Sequence, residues 1–101
     1  MTADEKWHKV IDILNRDEDN TAAPRNYTEE ERHEILQLLN EAMEEGHAGA
    51  FYTMGCLYYF NDGVVQPDYE QGVTLAQKAL DMGYERAKLL LSEAYFTGTH
   101  V

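Results

Sequence analysis

Two short stretches of the 101-residue sequence begin like metal-binding motifs. HEILQ, from His33 to Gln37, starts like the helix of a zinc protease, but a glutamine stands where the second histidine ligand is needed. DEDNTAAP, which starts at Asp17, resembles the beginning of a calcium loop, but Ala22 replaces the required glycine and Thr28 the final glutamate. Neither stretch therefore predicts a metal site.

The other reactive residue types lack the neighbours that catalysis needs. Cys56 is the single cysteine, has no nearby base in the sequence and lies among apolar residues, so we expect an inert, packed thiol. The sequence contains no glycine-rich phosphate loop and no Gly-x-Ser-x-Gly elbow, and its glutamate pairs are too common to indicate a catalytic dyad. We predict a protein that is not an enzyme, with no catalytic residue, no metal and no cofactor.

The charge balance is strongly acidic. Nineteen acidic residues against eight basic ones give a net charge of −11, and residues 1–46 carry thirteen of the acids. Such a field disfavours direct binding to nucleic acid or membrane and attracts a basic protein partner. The alternative is that the acidity serves only solubility. A single cysteine, no visible signal peptide and no membrane-spanning apolar run predict a cytoplasmic protein.

Hydrophobic spacing predicts an all-α chain without strands. The predicted helices cover about residues 3–15, 28–46, 48–60, 68–82 and 84–96. Thr28 and Glu31 have the spacing of a capping box, and Asp68 is an N-cap candidate. Gly46 and Gly83 stand where the second and fourth helices should stop.

The sequence repeats itself at a spacing of 37 residues. A shift by this distance superposes residues of the same type in one register: Leu38 on Leu75, Ala42 on Ala79, Gly46 on Gly83, Ala50 on Ala87, Tyr58 on Tyr95 and Val64 on Val101. The matches run through a helix, a turn and the next helix, as in arrays of helical hairpins. We expect the small residues to let paired helices approach closely.

The stretch AGAFYTMGCLYYFNDGVVQPDYEQGVTLAQKALDMGYERAKLLLSEAYFTG resembles the Sel-one-like repeat, a relative of the tetratricopeptide repeat. The resemblance rests on the residues that match the family pattern: Ala48, Ala50, Gly55, Tyr58, Gly63, Val64, Asp68, Ala76, Ala79 and Gly83. Gly72 departs from the pattern, because the family usually has alanine there. It should cost about 1 kcal/mol of helix propensity unless close packing recovers the loss.

The resemblance covers roughly residues 27–101 and implies a right-handed solenoid fragment of about five helices. It divides the chain into an acidic loop (16–27), the second helix of a partial repeat (28–46), a full repeat (47–83) and the start of another (84–101). Residues 1–15 lie outside the resemblance, and we expect them to form an N-terminal capping helix anchored by Trp7.

The aromatic residues of the third helix are the candidate binding site. Tyr58 and its repeat Tyr95 match the structural tyrosine of the resembled family, so we assign both to packing between helices. Other rings and nearby acidic residues should form a partly exposed surface for a partner: Phe51, Tyr52, Tyr59, Phe60, Glu44, Glu45 and Asp62. In the resembled family, the first helices of successive units line a groove that receives a peptide or a partner domain. The alternative is that most of these rings serve only the core.

These observations predict a non-enzymatic protein-interaction module that binds a basic protein partner through an aromatic groove and an acidic surface. A sharper hypothesis is a bacterial inhibitor or immunity-type protein that neutralises a toxin. The alternative is a self-associating adaptor or scaffold that forms a homodimer through its C-terminal repeat.

Overall fold

The computed structural model describes residues 2–15, 27–60 and 65–97. These residues form five α-helices and no strand, which confirms the predicted all-α helical-hairpin fragment. The helices are α1 (Ala3–Asn15), α2 (Glu29–Glu44), α3 (Ala48–Phe60), α4 (Tyr69–Asp81) and α5 (Ala87–Thr97). The last helix begins later than predicted, because residues 84–86 form a turn. The predicted acidic loop lies outside the described residues, apart from the buried Tyr27.

Capping side chains determine where the helices begin. Thr28 Oγ1 accepts the backbone N–H of Glu31 at 3.1 Å, and Glu31 Oε1 accepts the N–H of Thr28 at 2.9 Å, so the predicted capping box is present. Asp68 caps α4 by accepting the N–H three residues further on at 3.1 Å. Thr2 and Glu5 form the same reciprocal pair at the start of α1, which was not predicted. The backbone N–H of Thr2 and then its hydroxyl lower the pKa of Glu5.

The ends of α2 and α4 are built alike, 37 residues apart. Gly46 and Gly83 have positive φ angles of 82° and 98°, which glycine adopts without strain. In each turn the glycine N–H donates to the carbonyl three residues earlier at 2.9 Å. The following N–H donates to the carbonyl five residues before it at 3.0 Å. These are the two bonds of a Schellman motif, so the sequence repeat is also a repeat of backbone geometry.

Two clusters of buried side chains form the core. The N-terminal cluster joins α1, α2 and α3 through Val10, Leu14, Tyr27, Ile35, Leu39, Ala42, Ala50, Met54 and Leu57. The C-terminal cluster joins α3, α4 and α5 through Tyr59, Ala76, Ala79, Ala87, Leu90, Leu91 and Ala94. Because α3 contributes to both clusters, it is covered on two sides, and this explains why its apolar residues do not follow a single stripe.

Two facing glycines lie where α3 crosses α4. A Cβ added to Gly55 would lie 2.8 Å from the carbonyl oxygen of Gly72, and one added to Gly72 would lie 2.8 Å from the carbonyl oxygen of Gly55. Backbone atoms cannot move away as a flexible side chain can, so both positions require glycine at this helix separation. Close packing therefore accounts for Gly72, the residue that departs from the resembled family.

Candidate interaction surface

Trp7 joins the first helix to the third. Its indole Nε1–H donates to Thr53 Oγ1 at 2.8 Å, and its ring covers Gly49, where an added Cβ would lie 2.8 Å from the indole. Thr53 is buried, so the bond gives a partner to a hydroxyl that has been removed from water. Trp7 therefore holds α1 against α3, whereas the role of α1 as the cap of a repeat array stays a prediction.

His47 connects the same two helices from the turn before α3. Its Nδ1 accepts the backbone N–H of Ala50 at 3.2 Å, and its Nε2 lies 3.1 Å from Asp4 Oδ1. Both contacts are satisfied when Nε2 carries the proton of the neutral ring. The imidazole also lies against the indole of Trp7, with ring centroids 5.1 Å apart. His47 thus caps the start of α3 and fixes the position of α1.

Two tyrosines complete a group of half-buried rings that we call the aromatic cluster: Trp7, His47, Tyr52 and Tyr84. Tyr84 lies in the turn between α4 and α5, and its ring meets Trp7 edge to face at a centroid distance of 6.3 Å. The rings of Tyr84 and Tyr52 lie 5.3 Å apart. Rings from distant parts of the sequence therefore reach one surface.

Tyr52 sits in an environment that favours its neutral phenol. Burial is the main cause that raises its pKa well above the ordinary value of 10.0, and a hydrogen bond with the Cys56 thiol acts in the same direction. The charge of Arg86 has the opposite, smaller effect. Cys56 itself is half-buried and packs against the C-terminal cluster, as expected of a packed thiol.

The structure does not expose every ring that the sequence assigned to the binding surface. Tyr59 is only 7% exposed, so the prediction that its ring belongs to a partly exposed surface is wrong. A Cβ on Gly72 would lie 3.0 Å from the Tyr59 backbone, which shows that Tyr59 lies at the crossing of α3 and α4. Its ring packs edge to face on Tyr69 at 5.5 Å. Phe51 is half-buried towards α4. Asp62 and the side chain of Phe60 lie outside the described residues.

The two repeated tyrosines have different environments. Tyr58 packs against the N-terminal cluster together with Val65 and Leu75. Tyr95 is 70% exposed, so the prediction that it packs between helices is wrong. The reason is that α3 is covered on two sides by other helices, whereas no described helix follows α5. Leu89 of the same helix is 66% exposed.

Glu44 and Glu45 lie at the exposed end of α2, as a binding role requires. Lys6 Nζ binds Glu45 at 3.1 Å and Glu41 at 3.3 Å, and the bond to Glu45 is the first cause of the raised pKa of Lys6. The described residues up to Gly46 carry ten carboxylates and three lysine or arginine side chains. This half of the molecule therefore stays negative in spite of its ion pairs.

None of the described helices is both long enough and apolar enough to cross a membrane. Within the same described ranges, no three histidine, cysteine or carboxylate side chains are grouped so that they could hold a metal ion.

The fold and the repeated turns define an α-helical hairpin-repeat protein. Over 81 residues, 80% of this chain, the sequence is 35% identical to the ERAD-associated E3 ubiquitin-protein ligase component HRD3A of Arabidopsis thaliana. The chain spans 12% of the length of that relative. HRD3A has Sel1-like repeats, so the similarity supports this type of repeat. No family model matches the chain, and no solved structure does either.

The rings of the aromatic cluster were only partly anticipated. The sequence pointed to Tyr52, but it gave Trp7 a purely structural role and did not select His47 or Tyr84. A usable signal existed, because the 37-residue shift places His47 and Tyr84 at equivalent positions, each directly after a turn glycine. Both residues therefore lie at the end of the same kind of turn, close to the start of the following helix.

Proposed function

We propose that this chain is a non-enzymatic protein-interaction module whose binding surface is the aromatic cluster together with the carboxylates Asp4, Glu44 and Glu45. The observation that carries the proposal is the meeting of half-buried rings from α1, α3 and two turns, with a carboxylate oxygen of Asp4 3.1 Å from His47 Nε2. Tyrosine and tryptophan offer large contact areas and few rotatable bonds, so ordering them costs little entropy. Carboxylates beside them favour a basic partner and speed its encounter.

The similarity to HRD3A supports the coarser part of this proposal. That relative is a component of a ligase, and the matched stretch covers most of this chain. By analogy we infer an adaptor-like role in a protein assembly. The division into a capping helix (1–15), a partial repeat (28–46), a full repeat (47–83) and a third unit (84–101) belongs to the same proposal, as does a cytoplasmic location.

Peptides selected from a random library on the immobilised protein test the position of the surface. Tyr52→Ala and Tyr84→Ala each remove a ring of the aromatic cluster and should weaken the selected peptides by at least about tenfold, the usual effect at a hot spot. Tyr95→Ala is the matched control, because it removes an exposed ring of α5 outside the cluster. The proposal fails if folded Tyr52→Ala and Tyr84→Ala variants retain full binding.

The basic character of the partner has its own test. Raising the salt concentration from about 0.05 M to about 0.5 M should weaken a complex held partly by charge, because exposed charges are screened over shorter distances. Glu44→Gln should make the affinity less dependent on salt. An affinity that does not change with ionic strength would remove the electrostatic part of the proposal and leave the aromatic surface.

A narrower form of the proposal makes the partner a basic toxin that this chain neutralises as a bacterial immunity-type inhibitor. The acidity of the chain is its only support. Its test is the activity of a basic nuclease toxin encoded beside this chain, which an equimolar amount of the protein should abolish. Unchanged toxin activity would exclude this form without touching the broader proposal.

The exposed side chains of α5 favour a second candidate function, self-association as a structural adaptor. Leu89 is 66% and Tyr95 70% exposed, and apolar side chains this accessible occur at protein interfaces. Sedimentation over a wide concentration range should then reveal a dimer that the double variant Leu89→Glu, Tyr95→Glu abolishes. A monomer at the highest concentration would rule out the homodimer.

A further inference from the structure

The chain itself places a cation near a ring of α3. Lys78 Nζ lies 5.2 Å from the ring centroid of Phe51, within the roughly 6 Å at which a cation is attracted to an aromatic face. Arg86 follows Tyr84 by two residues, and the Tyr84 ring lies 5.3 Å from that of Tyr52. A positive group is therefore already a stable neighbour of an aromatic ring on this helix.

The charge beside the aromatic cluster is complementary to a further cation. Asp4 approaches the cluster from α1, with one carboxylate oxygen 3.1 Å from His47 Nε2 and the other 3.2 Å from His8 Nδ1. Glu44 and Glu45 end α2 directly before the turn that carries His47. Lys6 binds one of these two glutamates, Glu45, and the excess of carboxylates in this half of the molecule remains.

We propose that the aromatic cluster seats an arginine side chain of the partner protein, with its guanidinium against the rings of Tyr52 and Tyr84 and its charge near Asp4. The inference rests on the proposed function and names the partner residue that this surface recognises. Arginine fits better than lysine because its planar guanidinium stacks on aromatic faces, forms paired hydrogen bonds with carboxylates and is more weakly hydrated.

Arg86 gives the inference a distinctive consequence. Its positive charge, two residues after Tyr84, opposes an incoming guanidinium electrostatically. Arg86→Gln keeps a long polar side chain and removes the charge, so it should tighten the binding of an arginine peptide by about twofold to fivefold, the range of exposed charge pairs. Lys88→Gln is the matched control, because it removes a cation from the exposed surface of α5 outside the cluster.

Two synthetic peptides test the arginine seat. The first is acetyl-Gly-Arg-Gly-Arg-Gly-Arg-Gly-amide, and the second carries citrulline in place of every arginine, which keeps the shape and removes the charge. Trp7 is the only tryptophan of the chain and belongs to the cluster, so its fluorescence reports binding at this place. The arginine peptide should bind at least about tenfold more tightly than its twin.

Variants of the intact chain show whether the rings or the surrounding charge cause the preference for the arginine peptide. Tyr84→Leu keeps an apolar side chain but removes the ring, and it should reduce the preference for arginine to less than about threefold. Tyr52→Phe keeps the ring and should retain the preference. If Tyr84→Leu does not fold, as judged by circular dichroism, Tyr52→Leu takes its place in the same comparison.

Each outcome has a definite meaning. Equal binding of the two peptides, or an unchanged preference in the folded leucine variant, would overturn the arginine seat. If library peptides without arginine still bind at the cluster, the interaction surface survives and only this inference fails. If neither the synthetic nor the library peptides bind, the proposed function fails with it. An Arg86→Gln variant that binds the arginine peptide more weakly would also count against the seat.

Discussion

At the scale of single residues, one buried hydrogen bond contributes to the attachment of α1, in addition to the packing of Val10 and Leu14. Trp7→Phe keeps an aromatic ring but removes the donor to Thr53, and we expect the free energy of unfolding to fall by about 1–3 kcal/mol, since a buried hydroxyl loses its partner. Urea denaturation measures the loss. Because the indole also covers Gly49, Thr53→Val and the double variant are needed to separate the bond from the packing. Strictly additive losses would show that the bond itself contributes nothing.

Tyr52 should make stability depend on alkaline pH. Its pKa is raised above 10.0 in the folded chain, chiefly by burial, so the folded state holds the phenolic proton more tightly than the unfolded state. This contribution is fully present below the unfolded pKa and is lost as the pH rises through the folded pKa. Between about pH 9 and about pH 11, wild type should lose more stability than Tyr52→Phe, which has no phenolic proton. If denaturant titrations show that the free energies of unfolding of wild type and Tyr52→Phe fall equally with pH, the raised pKa of Tyr52 is contradicted.

Local sequence signals were sufficient to predict where the helices end, but not which aromatic rings are exposed. Thr28, Asp68 and the two turn glycines act on backbone groups a few residues away, so the sequence indicates their roles directly. Tyr59 and Tyr95 were both assigned wrongly, because their burial depends on which helix lies opposite. That neighbour is set by tertiary packing, which a single sequence pattern does not contain.

At the scale of helices, the crossing of α3 and α4 is the most sensitive contact. Gly55→Ala should lower the free energy of unfolding by about 1–3 kcal/mol, since the new Cβ would press on the Gly72 carbonyl and force the helices apart. Alanine is the better helix former by about 1 kcal/mol, so helix propensity alone predicts the opposite sign. Chemical denaturation therefore distinguishes the two effects.

Ser92 provides the matched control for this substitution. It occupies the position in α5 that corresponds to Gly55 in α3, but it is exposed. Ser92→Ala should change stability by no more than about 0.5 kcal/mol. A similar loss in both variants would indicate that α5 is covered in solution by another helix.

The prediction of whole helices succeeded where apolar spacing and end signals agreed. The bounds of α3 and the cap of α4 follow the sequence closely, and the main difference is the later start of α5. The sequence alone did not show that the rings of α1, α3 and the turn before α5 lie together, because this depends on how the helices pack. Trp7 and Tyr84 are far apart in sequence, and only the arrangement of the helices brings them into contact.

At the scale of the molecule, the net charge of −11 should make stability depend on salt. Sodium chloride between about 0.01 M and 1 M shortens the screening length from about 30 Å to about 3 Å, which weakens repulsion among the carboxylates of α1 and α2. We expect the melting temperature to rise, and to rise less in the variant Glu30→Gln, Glu44→Gln. A melting temperature that falls as salt is added would show that attractive pairs such as Lys6 with Glu45 outweigh the repulsion.

The two Schellman turns have a consequence for the construction of longer proteins. Because their hydrogen bonds coincide after 37 residues, we expect that residues 47–83 can be copied in tandem: the new junction, Gly83 followed by His47, joins two halves that already exist in this chain. Each copy would add one helical hairpin and one more ring directly after a turn glycine. The aromatic surface would then extend along the added hairpins. Unchanged helical content per residue in circular dichroism would show that the copied segment folds in its new place.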